Sequence, residues 1–316
     1  MMPRCCWSST NRGVALILVL WFIVLLSVLS LGLSKVSRNG ALLARQLTGA
    51  AQARYLAEGG IQMVLANLLM ATEEERLLGD GEVFELSLGQ GRVQAVLWDE
   101  SGKIDINKAS EALLTRLFLV IELSPQHSAE LAAAIADWRD EDDLARLHGA
   151  EDEDYLAYGL TYGAADSPFT HIIELRQVLG MDESTYQQIE AYVTIHSKSA
   201  GINPKVAPEL ILLAVSDAQV STIEYYINER RRTYQAGLPM PPAPSIHQDY
   251  LAKSGDSVFS LSTQATLEQG ISAGKSLVFK LMGNAGDMTI KKLYSQPYGL
   301  KLNEIDSFDT RQRALN

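Results

Sequence analysis

Residues 14–33 carry no charge, and only Ser27, Ser30 and Gly32 interrupt the apolar side chains. Twenty helical residues rise about 30 Å, the thickness of a bilayer's hydrocarbon core. A secretory signal has a shorter apolar core, about 7–15 residues, ending at a small-residue cleavage site. A soluble core helix apolar on every face needs packing partners all round, and a chain terminus supplies few. The run therefore predicts a membrane-inserted helix. Arg4 and Arg12 precede it while Lys35, Arg38 and Arg45 follow it, so counting basic residues leaves the orientation open.

Beyond Ser34 apolar residues recur at helical spacing, through Ala41, Leu47, Ala50, Leu56, Ala57, Ile61, Val64, Leu65 and Leu68. Arg45, Arg54 and Glu58 fall on the other side. One helix of roughly 55–65 residues, about 90 Å long, is expected to run from bilayer into water. An apolar rod continuous with an amphipathic one suits packing against copies of itself or relatives.

Past the glycines at 79 and 81, "EVFELSLGQGRVQAVLWDESGK" alternates as two strands about a Gly89-Gln90-Gly91 turn. From Ile104 to about Tyr234 the pattern turns helical, in "SEALLTRLFLVIEL", "QHSAELAAAIADWRDE", "HIIELRQVLG", "STYQQIEAYVTIHS" and "VAPELILLAVSDA". Ile104, Ile106, Leu113, Leu114 and Leu117 form an apolar face, with Asn107 and Ser110 as N-cap candidates. The proline-rich "LPMPPAPS" closes this block, and "DSVFSLSTQATLE", "GKSLVFKLMG" and "DMTIKKLYSQPYG" read again as strands. Strands, helices, then strands predict an α+β fold, in which a large all-α insertion loops out of one small antiparallel sheet packed on the stem helix. Arg230, Arg231 and Arg232 close a helix and suit its C-terminal dipole, with Tyr225 and Tyr226 as core or interface residues.

The densest acidic stretch is "DWRDEDDLARLHGAEDEDY". Two carboxylate clusters flank a glycine-containing loop and can fold back around one point. Ca²⁺ takes six to eight oxygens at about 2.3–2.6 Å, whereas close carboxylates without a cation repel. The expected ligands are Asp140, Asp142, Asp143, Glu151, Asp152 and Asp154, for one or two calcium ions, with Asp137 set aside as a helix-face residue. Trp138 and Tyr155 are expected to pack beneath the loop. The spacing is not that of an EF-hand, and a solvated acidic loop is the competing reading.

The formal net charge of -11 opposes a nucleic-acid partner, which clustered Lys and Arg would hold. "GKIDINKASEALLTRL" and "FTHIIELRQVLGMDESTYQQIEAYVTIH" resemble the helix-hairpin-helix repeats of DNA-uptake receptors, with SAM-like compactness. The hairpin Gly180-Met181-Asp182-Glu183 places acids where phosphate would approach, so the motif reads as a packing module. The two cysteines, Cys5 and Cys6, precede the apolar run and exclude a disulfide or thiolate metal site beyond it. Catalysis finds no motif: His127, His148, His171, His196 and His247 are scattered, and only His148 adjoins the acids. A carboxylate-pair hydrolase needs an apolar setting that raises one pKa, which a flexible acidic loop is not expected to supply.

Arg12-Gly13 before an apolar helix resembles the class III leader of type IV pilins and type II secretion pseudopilins. The whole order, together with "WDESGKIDINKAS", "GAEDEDY" and "GINPKVAPELI", resembles the minor pseudopilin K family of type II secretion. The resemblance implies peptidase cleavage between Gly13 and Val14 on the cytoplasmic side. It also implies a pilin-like organisation: leader 1–13, transmembrane helix 14–34, stem helix and first strands 35–102, inserted α domain 103–245, returning strands 246–300 and polar tail 301–316. Family members carry calcium in the acidic loop region. The implied role is non-enzymatic: a single-pass inner-membrane protein with a periplasmic head at the pseudopilus tip, nucleating assembly and supporting export. Its implied partners are minor pseudopilins I and J, the major pseudopilin and the inner-membrane platform, with no nucleic acid. Most relatives place a glutamate five residues after the cut, where this chain has Leu18. A buried acid without a neighbouring amine is costly, so its absence fits a subunit with nobody ahead of it. A DNA-uptake filament tip is the alternative.

Overall fold

The computed structural model describes residues 12–71, 76–89, 91–252, 257–283 and 288–296. Residues 1–11 of the expected leader, both cysteines and the expected tail 301–316 lie outside these.

Helix α1, Arg12–Met70, has 59 residues, as the uninterrupted periodicity requires. Residues 15–48 are exposed on every face, so among the described residues the apolar run has no partner. The Ser27 hydroxyl donates to the Ile23 carbonyl at 2.8 Å, which hides its polarity within the helix. From Gly49 onward one side is covered. Ala53, Ala57, Ile61, Val64, Leu65 and Leu68 are buried at three- and four-residue spacing. Each larger side chain among them contributes about 1.5–3 kcal/mol by leaving water. Glu58, read from periodicity as outward, sits at the rim of this seam and pairs with Lys275.

The face they meet is one antiparallel sheet. Strands β1 (Asp80–Leu88), β2 (Gly91–Asp99), β5 (Val258–Leu267), β6 (Ser272–Met282) and β7 (Thr289–Gln296) lie in the order β1-β2-β5-β6-β7. Ala95, Leu97, Leu261, Leu277 and Phe279 supply its inner face against α1. The β1–β2 hairpin closes at Leu88 and Gly91, where the glycines predicted it. Gly60 lies on Val93, so a Cβ there would sit 2.7 Å from a valine methyl.

β2 and β5 are neighbours across the whole helical block. That is the α+β, pilin-like arrangement expected: the chain leaves the sheet at Asp99 and returns to it at Val258. Between them lie α2 (Glu111–Val120), α3 (Pro125–Arg139), α4 (Asp152–Ala157), α5 (Glu183–Ile189), α6 (Glu209–Val215) and α7 (Val220–Gln235). A short parallel pair, β3 (Ile104–Asp105) with β4 (Val193–Thr194), ties the start of the block to its middle. "HIIELRQVLG" forms a 3-10 helix, Ile172–Gln177, rather than an α-helix. The apolar face of Ile104, Ile106, Leu113, Leu114 and Leu117 is buried in one core with Phe118, Ile135, Trp138 and Tyr155. Ser110 caps α2, accepting from the Leu113 N–H at 3.2 Å. Asn107 does not cap. Its amide instead bridges to the Phe169 backbone, donating at 2.9 Å and accepting at 2.8 Å.

Two buried polar joints fix block to sheet. At the exit Glu100 is fully enclosed and accepts from Lys103 at 2.9 Å, from Ser260 of β5, and from Thr194 of β4. At the far end Arg230, read from sequence as a dipole-matching terminus, is buried instead. It donates to Asp80 of β1 at 3.0 Å and to the Pro204 and Ala207 carbonyls at 2.9 Å. Tyr226 is buried beside it, whereas Tyr225 is exposed.

Candidate metal centre

Helix α3 begins at a Ser124 cap with Pro125 in its first turn, and runs alanine-rich to Asp137, Trp138 and Arg139. Arg139 locks its end to the preceding turn, donating to the carbonyls of Ile106 and Ala109. Asp140 then breaks into extended backbone and an irregular loop follows, until Glu151 starts α4. Glu151 takes the N-cap because the Asp154 carboxylate accepts its backbone N–H at 3.0 Å. The loop therefore folds back and sets the end of one helix against the start of the next.

Asp137, Asp140 and Glu151 each offer a carboxylate oxygen within 4.8 Å of the others. Asp137 is fully buried and Glu151 is 7% exposed. At such separations, with an effective dielectric of about 20, each pair of anions repels by about 3–4 kcal/mol. The Glu151 carboxyl is pushed up to about 7, by burial first and then by Asp137, Asp140, Asp166 and Asp143. Burial, with Asp152, Asp143 and Asp140, raises the Asp166 carboxyl too. A cation answers them: the Arg146 guanidinium donates to Asp137 at 2.6 Å and also to Asp140.

Among the described residues, Asp140 Oδ1, Glu151 Oε1 and Asp166 Oδ1 are buried and accept no hydrogen bond. Asp140 and Glu151 thus keep orphaned oxygens within the group around the fully buried Asp137, donors of the kind a hard divalent cation takes. The residues fit calcium.

Of the sequence-expected ligands, Asp140 and Glu151 are brought together. Asp143 and Asp152 lie close enough to Asp166 to help raise its carboxyl. Asp142 and Asp154 are exposed; Asp142 accepts from the Leu144 N–H at 3.1 Å and Asp154 holds the α4 cap. Asp137, set aside as a helix-face residue, stands at the centre. Its helix face is the inner one, and the fully buried carboxylate over Gly149 marks it. Asp166 was missed because it lies a further helix along the chain. His148, the one histidine singled out, is exposed on a left-handed backbone (φ 70°) and outside the group. The premise that this loop lacks a setting to raise a carboxyl is also corrected, since Glu151 is buried. Trp138 and Tyr155 do pack beneath, with ring centroids 5.9 Å apart. The Tyr155 hydroxyl accepts from the Leu179 N–H at 3.1 Å, tying the acids to the Gly180 hairpin.

In that hairpin Asp182 caps α5, accepting from the Thr185 N–H at 2.7 Å. That hydrogen bond holds its carboxyl below the usual range. An acid thus occupies the helix N-terminus that a phosphate would need.

Residues 90–198 match the family described as type II secretion system protein K. The type II secretion system protein K of Klebsiella pneumoniae is 27% identical over 207 residues, 59% of this chain and 63% of that protein. The chain thus spans less than two thirds of that relative's length. The protein K of Pseudomonas aeruginosa is 26% identical over 245 residues, 70% of this chain and 73% of its own. A chain in the crystal structure of the GspK-GspI-GspJ complex from enterotoxigenic Escherichia coli superposes with a TM-score of 0.59. It is 20% identical and covers 80% of this chain and 98% of that one, which shows the shared fold.

Proposed function

We propose that this chain belongs to the type II secretion protein K family, which its family-model match and curated relatives support, and is a non-enzymatic minor pseudopilin at the tip of the secretion pseudopilus. On this reading it is anchored in the inner membrane by α1, with its head in the periplasm, and prepilin peptidase cuts between Gly13 and Val14. It nucleates assembly with minor pseudopilins I and J, adjoins the major pseudopilin and the inner-membrane platform, and supports export.

One observation carries the reading. A 59-residue helix, charge-free over residues 14–33 and bare over residues 15–48, is clamped under a sheet only beyond that. A helix of that kind finds its missing partners in a bilayer and in parallel helices of like subunits. The helical block adds the steric argument: looped out between β2 and β5, it obstructs a further subunit above. Within the head, calcium bound at Asp137, Asp140 and Glu151, with Asp166, Asp143 and Asp152 around them, would neutralise the acids and fix the α3–α4 loop. The test is co-purification of the full chain with pseudopilins I and J from membranes. A stable complex with both supports the reading, and recovery of the chain alone from membranes that contain both contradicts it.

A further inference from the structure

The acid group at the end of α3 already carries a cation of its own. Arg146 Nη1 lies against both Asp137, at 2.6 Å, and Asp140. We propose that Arg146 is an internal placeholder for the divalent cation: it neutralises Asp137 and Asp140 in the metal-free protein and must leave them before the ion binds, so it sets the affinity of the site. This rests on the cation reading above.

The geometry separates what is fixed from what can leave. Asp137 is 0% exposed, whereas the Arg146 side chain is 39% exposed, so the guanidinium reaches in from solvent and has a path back to it. The loop need not unfold when it goes. The Arg146 N–H still donates to Asp137 at 3.2 Å, and its carbonyl still accepts from Gly149 at 2.9 Å. Gly149 gives the Asp137 carboxylate room, because a Cβ there would collide with it.

The arginine is also an incomplete answer to the charge. Glu151, more than nine-tenths buried, keeps Oε1 without a donor, and so does Asp140 with Oδ1. A guanidinium offers N–H groups in one plane and cannot surround a point, whereas a hard cation collects oxygens from all sides at about 2.3–2.6 Å. The two cations cannot share Asp137 and Asp140, since like charges in so small a space repel. Binding is therefore an exchange. If the docked arginine outweighs the undocked by ten to one, apparent affinity for the ion drops about tenfold, worth about 1.4 kcal/mol.

The test uses the full chain in detergent, stripped with EDTA, then titrated with CaCl₂ by calorimetry as wild type, Arg146→Gln and Arg146→Lys. Arg146→Gln is expected to bind calcium at least about tenfold more tightly. Its metal-free melting temperature should fall below wild type and recover at saturating calcium. Arg146→Lys keeps the charge without the fork and should fall between the two. Wild type binding calcium while Arg146→Gln binds it equally or less tightly would overturn the placeholder and leave the cation reading intact. Should Arg146→Gln not fold, Arg146→Lys binding no tighter than wild type would overturn it as well. Calcium binding to none of the three would remove both readings together.

Discussion

The joint between Asp80 and Arg230 makes an asymmetric prediction. Both side chains are fully buried, yet their supports differ. Asp80 has a second cation, Arg231, at 2.7 Å, whereas Arg230 has one anion and two backbone carbonyls. Burial already holds the Arg230 guanidinium below its usual pKa, and Asp80 works against that shift. Asp80→Asn therefore strands a buried cation, which costs about 3–5 kcal/mol. At about 2–4 °C per kcal/mol for a unit of this size, melting falls by about 6–20 °C. Arg230→Met leaves Asp80 paired with Arg231, and Pro204 O keeps the Tyr226 hydroxyl at 3.2 Å. Mainly the Ala207 carbonyl is orphaned, for about 1–3 kcal/mol. The double change should cost less than the sum. Calorimetric melting of the full chain in detergent reads all three. Arg230→Met proving more damaging than Asp80→Asn, or additivity of the two, would refute this account of the joint.

Removing calcium with EDTA should lower the melting temperature, and excess calcium should restore it, because an ion bound only by the native state stabilises by mass action; identical melting curves would speak against the centre. Burial holds the His196 imidazole below its ordinary value, so the unfolded chain binds the proton more readily. The stability it contributes is present above about pH 6.5 and is lost as pH falls through its folded pKa; Arg, Lys and carboxylate effects cancel when wild type is compared with His196→Asn, and a pH-independent difference would negate the claim. Gly60→Leu should destabilise the head by about 1–3 kcal/mol through overpacking on Val93 and Thr263, read as a lower melting temperature. No loss of stability there would mean that α1 and the sheet are not in contact as described.

The elements governed by local periodicity were legible from residues alone. A charge-free run specifies α1, alternation specifies β1, β2, β5 and β6, and glycines mark the hairpin. What escaped depends on partners far along the chain. Arg230 looks like an ordinary helix-terminal arginine until Asp80, 150 positions earlier, is folded against it. Asn107 has the spacing of a cap, and only the approach of Phe169 redirects it. The acid region was visible as composition, but its centre was not. Asp137 lies in an alanine-rich helix buried all round from Leu131 to Trp138, so periodicity did not say which way it points. Arg146 was invisible for the same reason, since a loop's charge pairing follows from how it folds back.

The tip position is tested most directly by counting this chain along assembled pseudopili, using electron microscopy with a gold-conjugated antibody against the helical block. The account predicts one label at a single end of each filament. Labels spaced along the filament length would contradict it.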